Sequence, residues 1–262
     1  MDILGNIAAL IIGTLLGLLG GGGSVLTVPV LVYLYHLTPV TATGYSLFIV
    51  GFSSLVGAIL AFRKKQLAIQ TAIKFGAPSI FSVYITRKYI LPAIPDTIID
   101  TGEFMLSKGI MIMVLFAILM IAASFSMIRN KSIEHKQEKD KSTRNLILIT
   151  EGLLVGLLTG FVGVGGGFLI IPALVLLLGI PIKSAIGTSL AIIAANSLIG
   201  FSVNPGTTNV DWEFLLVFSS LSLIGIFIGN YLGSKIDGNK LKTGFGWFVL
   251  IFGLIIIIKE FF

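Results

Sequence analysis

The sequence predicts an all-α polytopic membrane protein of two inverted repeats, each a glycine-broken re-entrant or half-helix hairpin followed by three spanning helices. Three observations predict it. The 262 residues are 55% hydrophobic and only 11% charged, with a mean hydropathy of +1.03, whereas a soluble domain carries roughly a quarter charged residues. Uninterrupted apolar blocks such as Gly109 to Ile128 and Phe245 to Ile258 match the roughly 20 helical residues that cross a hydrocarbon core. The third observation is a sequence duplication.

Gly13 to Pro29 reads GTLLGLLGGGGSVLTVP, and Gly156 to Pro172 reads GLLTGFVGVGGGFLIIP. At a constant offset of 143 residues Gly13/Gly156, Gly17/Gly160, Gly20/Gly163, Gly22/Gly165, Gly23/Gly166 and Pro29/Pro172 are identical. The same ungapped offset continues through Ala42/Ala185, Gly44/Gly187, Ser46/Ser189, Ser54/Ser197 and Gly57/Gly200. Leucines in apolar helices coincide by chance, but glycine, proline and serine in register mark a repeat.

Each half divides into the same elements, residues 1–128 and 146–262, joined by a charged connector over 129–145. Ile3–Leu19 is apolar and helical, and the run Gly20 to Gly23 breaks it. Val25–Tyr35 follows, too short to span and therefore a half-helix. Thr41–Phe62, Ala68–Leu91 and Met105–Ile128 are the three spans of the first half. Leu146–Val162, a break over Gly163 to Gly167, and the half-helix Phe168–Leu178 repeat the hairpin. Ala185–Val203, Trp212–Leu232 and Thr243–Ile258 are the remaining spans.

Loop charge favours opposite orientations for the halves. With each hairpin entering and leaving on one side, Arg63, Lys64, Lys65, Lys74, Lys183, Lys235, Lys240 and Lys242 join the six basic residues between Arg129 and Arg144 on the cytoplasmic face. Only Arg87, Lys88, Lys108 and Lys259 then lie outside, in keeping with the excess of Lys and Arg in cytoplasmic loops. Arg87 and Lys88 run against that rule. Trp212 at an outer helix start and Trp247 at an inner one suit the interfacial preference of indole rings.

Composition and motifs argue against other classes. No basic segment precedes the first apolar stretch, so a cleaved leader is not expected. Solid apolar blocks are not the alternating strands of a membrane barrel. The net charge of +6 fits basic cytoplasmic loops rather than nucleic-acid binding. No GxxxxGK[ST] nucleotide loop is present, which argues against ATP-driven transport. The two histidines, His36 and His135, fall in loops, and no Asp or Glu sits mid-span. A catalytic pair or metal site in the membrane is therefore not expected, nor is a cofactor.

The breaks carry the functional expectation. Glycine costs about 1 kcal/mol per residue against alanine in a helix, and unwound backbone at membrane depth is tolerated only where protein or a wet cavity satisfies it. Helix N-termini at such breaks favour anions. The expected site for a small anionic solute comprises Gly21, Gly22, Gly23, Ser24, Gly165, Gly166 and Gly167, with Ser46, Ser53, Thr188, Ser189 and Asn196 from the helices that follow. Ser46/Ser53 and Ser189/Asn196 are each seven residues apart and so share a helix face.

Those same residues, Gly20 to Pro29 and Gly163 to Pro172 backed by Ala42 to Leu47 and Ala185 to Leu190, give the chain its likeness: it resembles the sulfite exporter TauE/SafE family of membrane transporters along nearly its whole length. The resemblance implies secondary transport of small anions, typically sulfur oxyanions or organosulfonates; alternating access, with one half rocking about the pair of glycine breaks, is the expected mechanism, and the plasma membrane, in a bacterium the inner membrane, the expected location. A carrier or passive channel for a carboxylate, cation or neutral solute is the alternative, and a homo-oligomer is left open. The family's glycine-rich face on the fourth element is kept as Gly225, Gly229 and Gly233 in the second half, while Ser82 and Thr86 stand at the first two of these positions in the first half.

Overall fold

A computed structural model describes residues 3–100, 105–128, 141–204 and 210–261. His135 and most of the predicted connector lie outside these residues. Helix α1 (Ile3–Leu19) ends at the glycine run, which winds as a tight 3-10 turn over Gly20–Leu26 before α2 (Thr27–Tyr33). Next come α3 (Pro39–Arg63) and α4 (Ile69–Ile85). A π turn, Thr86–Ile90, extends α4 into α5 (Leu91–Ala93). Two short antiparallel strands, β1 (Thr97–Asp100) and β2 (Met105–Ser107), precede α6 (Lys108–Ile128).

The second half holds α7 (Lys141–Val162), the open break at 163–166, α8 (Gly167–Pro172) with a π turn over Ala173–Leu177, then α9 (Ile182–Ser202), α10 (Trp212–Lys235) and α11 (Gly238–Phe261). Seven helical stretches among the described residues are long and apolar enough to cross a bilayer. The protein is a multi-pass, nearly all-helical membrane protein.

Three boundaries differ from the sequence expectation. Residues 141–145, assigned to the connector, are the first turns of α7, because a spanning helix runs on past the apolar region with polar residues. Met105 belongs to β2 rather than to a helix. The hairpin is held at its base by Lys108, which bonds Asp96 through both its backbone N–H (2.9 Å) and its Nζ (3.0 Å). The first break is a helical turn and not an open one, so α2 starts at Thr27 instead of near Ser24.

Both hairpins fold back on themselves. A Cβ on Gly23 would overlap the backbone of Leu15 and Leu16, and a Cβ on Gly166 would overlap Thr159, the position 143 residues after Leu16. At the open ends, the Tyr35 hydroxyl reaches Gly5, and Leu178 closes with Ile147, Leu148 and Glu151 around a small gap. Each hairpin therefore begins and ends on one face.

Small residues set the close pairings. Gly13, Gly17, Gly225 and Gly229 bring α1 and α10 into backbone contact, running parallel. Gly152 and Gly156 do the same for α7 against Phe75 and Ser79 of α4, and Gly156 and Gly160 meet the side chains of Ser82 and, in the π turn that follows, Thr86. The Gly13–Ser222 and Gly156–Ser79 contacts interchange under the 143-residue offset. The serine and threonine that depart from the glycine pattern in α4 thus meet glycines on α7, and the pairing stays close, as small residues permit in membranes.

Repeat-related α3 and α9 pack antiparallel. Ala61 lies by Gly187, Gly57 by Leu190, Gly51 by Ser197 and Gly44 by Asn204, so residue number falls on one helix as it rises on the other. Helices α6 and α11 also run antiparallel, with Gly246 against Ile128 and Gly253 against Ile121 and Met120.

Candidate functional site

The two breaks meet at the centre of the molecule. A Cβ on Gly21 would overlap the Cα of Gly167, and the reverse holds, with Ile193 Cδ1 wedged beside both. Gly22 faces the Phe245 ring. In the second break Gly163, Gly165 and Gly166 all have positive φ (73°, 65° and 77°), a conformation that only glycine adopts without strain. The same is true of Gly20 at 62° in the first. Four of the conspicuous glycines are therefore required by backbone conformation, and Gly21 and Gly167 by mutual contact.

The twelve expected site residues divide into two sets. Gly21, Gly22, Gly23, Ser24, Gly165, Gly166 and Gly167 are all buried at the meeting point. Ser189 lies there too, its Oγ 3.1 Å from the Cβ position of Gly20. Ser46 and Ser53 are fully buried on α3, and their hydroxyls find no partner. Asn196 donates to Ser79 Oγ at 2.7 Å while its Oδ1 is unpartnered.

Three of these residues also bond locally, Ser189 among them, its hydroxyl donating to the Ile186 carbonyl at 2.8 Å. Ser24 donates to the Gly21 carbonyl. Thr188 donates to the Ser184 carbonyl at 2.7 Å and accepts the Ala68 N–H at 3.0 Å, pinning the α3–α4 loop to α9. The hollow expected between the tips is filled by direct glycine contact and Ile193.

Several polar residues belong beside this set. Ser54 and Ser197 are fully buried and unpartnered, and the Ser197 hydroxyl sits against the Cβ position of Gly165. The 143-residue offset pairs them in the sequence, and Ser197 follows Asn196 directly. Arg87, in the π turn after α4, is fully buried. Its Nη1 donates to Asn204 Oδ1 at 3.1 Å and to Thr43 Oγ1 at 3.3 Å. The only sequence signal for Arg87 is its violation of the charge rule.

An open cleft reaches toward the breaks from one face. Gly17, Ala61, Lys64, Gln66, Lys183, Ile186 and Asn230 contribute to its lining, with a volume of about 480 Å³ counted out to solvent. Lys64 Nζ donates to Asn230 Oδ1 within it. Applying the 143-residue offset to Ala61, Ile186, Gly187 and Asn230 gives Asn204, Thr43, Gly44 and Arg87. These four are buried, and they touch: Arg87 bonds Thr43 and Asn204, and Asn204 fills the space beside Gly44. Ala61 and Gly187 are buried like their counterparts, whereas Ile186 and Asn230 are partly exposed where Thr43 and Arg87 are fully buried.

Comparison with known proteins agrees with this architecture. The sequence model of the sulfite exporter TauE/SafE family matches residues 6–256. A probable membrane transporter protein of Xylella fastidiosa is 27% identical over 252 residues, 94% of this chain and 91% of that protein. The probable membrane transporter protein YunE of Bacillus subtilis is 27% identical over 256 residues, covering 90% and 88% respectively. One from Haemophilus influenzae is 28% identical over 267 residues, 94% of each. No solved structure matches the chain. With its glycine breaks, paired halves and membrane helices all accounted for, the chain belongs to the sulfite exporter TauE/SafE family of membrane transporters.

Proposed function

We propose that the protein is a secondary transporter of a small anion, a sulfur oxyanion or organosulfonate, that works by alternating access between two inverted repeats. The observation that carries this reading is the unequal state of two repeat-related pairs: Ile186 and Asn230 are partly exposed in a cleft with Lys64 and Lys183 at its edge, while Thr43 and Arg87 are fully buried. An exchange of conformations between the halves would open the buried side and close the exposed one, without both being open at once. The antiparallel packing of α3 on α9 supports the inverted relation. The basic face, with Arg63, Lys64, Lys65, Lys74, Lys183 and Lys235, is the cytoplasmic one by the charge rule, so the open cleft faces inward.

The buried groups support a negatively charged solute. Among the described residues the buried polar side chains are hydroxyls, two asparagines and Arg87, with no Asp or Glu. A buried hydroxyl left unpartnered costs about 1–3 kcal/mol, and Ser46, Ser53, Ser54 and Ser197 are all so placed. They are donors available to an oxyanion once the tips part. Hydroxyls and glycine backbone hold an anion less firmly than a metal or a ring of cations would, which suits release.

Counterflow in proteoliposomes tests the reading. Preloaded sulfite or methanesulfonate should drive saturable uptake of the labelled anion, with sodium, glucose and acetate weaker. Flux that does not saturate and needs no internal solute would identify a channel. Preference for a cation would overturn the anion assignment.

A further inference from the structure

We propose that Arg87 is an oxyanion-binding residue, taking two oxygens of a sulfite, sulfonate or carboxylate group on the Nε–Nη2 edge of its guanidinium; this deepens the anion reading above and rests on it. Burying an arginine without a carboxylate inside a membrane protein is expensive, and such residues face pathways more often than packing. Arg87 is 0% exposed, and Nη1 alone among its nitrogens has partners, both neutral: Asn204 Oδ1 and Thr43 Oγ1. Nε and Nη2 have none. These two donors are not scattered. They form one side of the planar fork, the side whose parallel N–H groups match two oxygens of an oxyanion.

The surroundings hold that edge in place. The π turn is closed by the Leu91 N–H bonding back to the Thr86 carbonyl, and such widened turns recur at functional positions. Asn204 and Thr43 fix the opposite nitrogen. Nη2 lies 2.5 Å from where a Cβ would stand on Gly163, the first residue of the second break, whose φ of 73° already demands glycine. The guanidinium therefore abuts the break itself. A purely structural arginine at a membrane surface would extend its head to water; Arg87 turns inward, while its neighbour Lys88 stays exposed against Tyr84.

Its repeat-related position is Asn230, on which the Lys64 ammonium rests in the open cleft. Both sides of the breaks thus carry a cation at the corresponding spot, through Arg87 directly on one and through Lys64 on the other. An anion leaving the centre would meet positive charge whichever side is open.

The test uses detergent-purified full-length protein, followed by tryptophan fluorescence on heating, with sodium sulfite, sodium methanesulfonate and sodium chloride as probes. Sulfite should raise the unfolding temperature of the parent protein, and Arg87→Gln should need about tenfold or more sulfite for the same rise, the scale of a lost charged hydrogen-bond pair. Arg87→Lys keeps the charge but not the fork, and should lose its preference for sulfite over chloride. An unchanged sulfite response in Arg87→Gln overturns the proposal. Should that variant not assemble, an unchanged sulfite-over-chloride preference in Arg87→Lys overturns it equally. Absence of any anion response in the parent protein would instead sink the anion reading as a whole.

Discussion

Gly21 and Gly167 are packed backbone against backbone, so tightly that a methyl group built on either would overlap the Cα of the other, with Ile193 Cδ1 2.5 Å from the methyl position on Gly167. One residue comes from each half, and through them the two hairpins touch. Gly21→Ala or Gly167→Ala must push the tips apart. The expected cost is about 1–3 kcal/mol of stability, the usual scale of overpacking, together with loss of counterflow. Gly244→Ala is the control, since nothing lies within 4 Å of its Cβ position; it should leave transport intact. Thermal unfolding and proteoliposome flux, measured side by side, check both.

Ser53 and Ser197 give the opposite signature. Both hydroxyls are fully buried without partners, so Ser53→Ala and Ser197→Ala remove no protein hydrogen bond and should hold or raise stability, by up to about 1–3 kcal/mol each. If these hydroxyls receive the solute, half-saturating anion concentration should nonetheless rise severalfold. Stability and affinity moving in opposite directions would separate a binding role from a packing one. Unchanged affinity in both variants would remove them from the site.

Gly163→Ala combines two faults. Its φ of 73° is unfavourable for any residue with a Cβ, at about 1–2 kcal/mol, and the new methyl would come 2.5 Å from Arg87 Nη2. Gly179 has a similar φ, 66°, but open space around it. Gly179→Ala should therefore show the strain alone, and Gly163→Ala the strain plus weaker anion binding. Equal behaviour of the two in a sulfite titration would detach Gly163 from Arg87.

The architecture was legible because glycine and proline in register at 143 residues encode backbone demands that chance does not reproduce. Gly20 and Gly163 are such a pair, and both have positive φ. The candidate site was legible only in part. Ser46, Ser53 and Asn196 are buried on α3 and α9, yet Thr188, one residue before Ser189, bonds a loop, since neighbouring helix positions point about 100° apart and short motifs do not say which faces the centre. Arg87 was unreadable for a different reason. A basic residue near a helix end is ordinarily a solvated loop charge, and only tertiary structure reveals the widened turn that sends this one inward. The β1–β2 hairpin escaped because its second strand, Met105–Ser107, abuts a helix and reads as part of one.

The strongest test of the exchange between halves uses one position twice. Thr43 and Ile186 are 143 residues apart in sequence. Ile186 lines the open cleft, while Thr43 is fully buried against Arg87. The chain has no cysteine, so Ile186→Cys and Thr43→Cys each carry a single thiol with no background to remove. In right-side-out and inside-out vesicles without solute, a charged thiosulfonate reagent should modify Ile186→Cys from the basic face and leave Thr43→Cys untouched. During anion turnover the order should shift, Thr43→Cys gaining reactivity from the opposite face as Ile186→Cys loses it. A protein that merely conducts through a fixed path has no reason to trade accessibility between equivalent residues. Reactivities that ignore the anion would leave the open and sealed sides as permanent features of the fold, and the alternating cycle would fall with them.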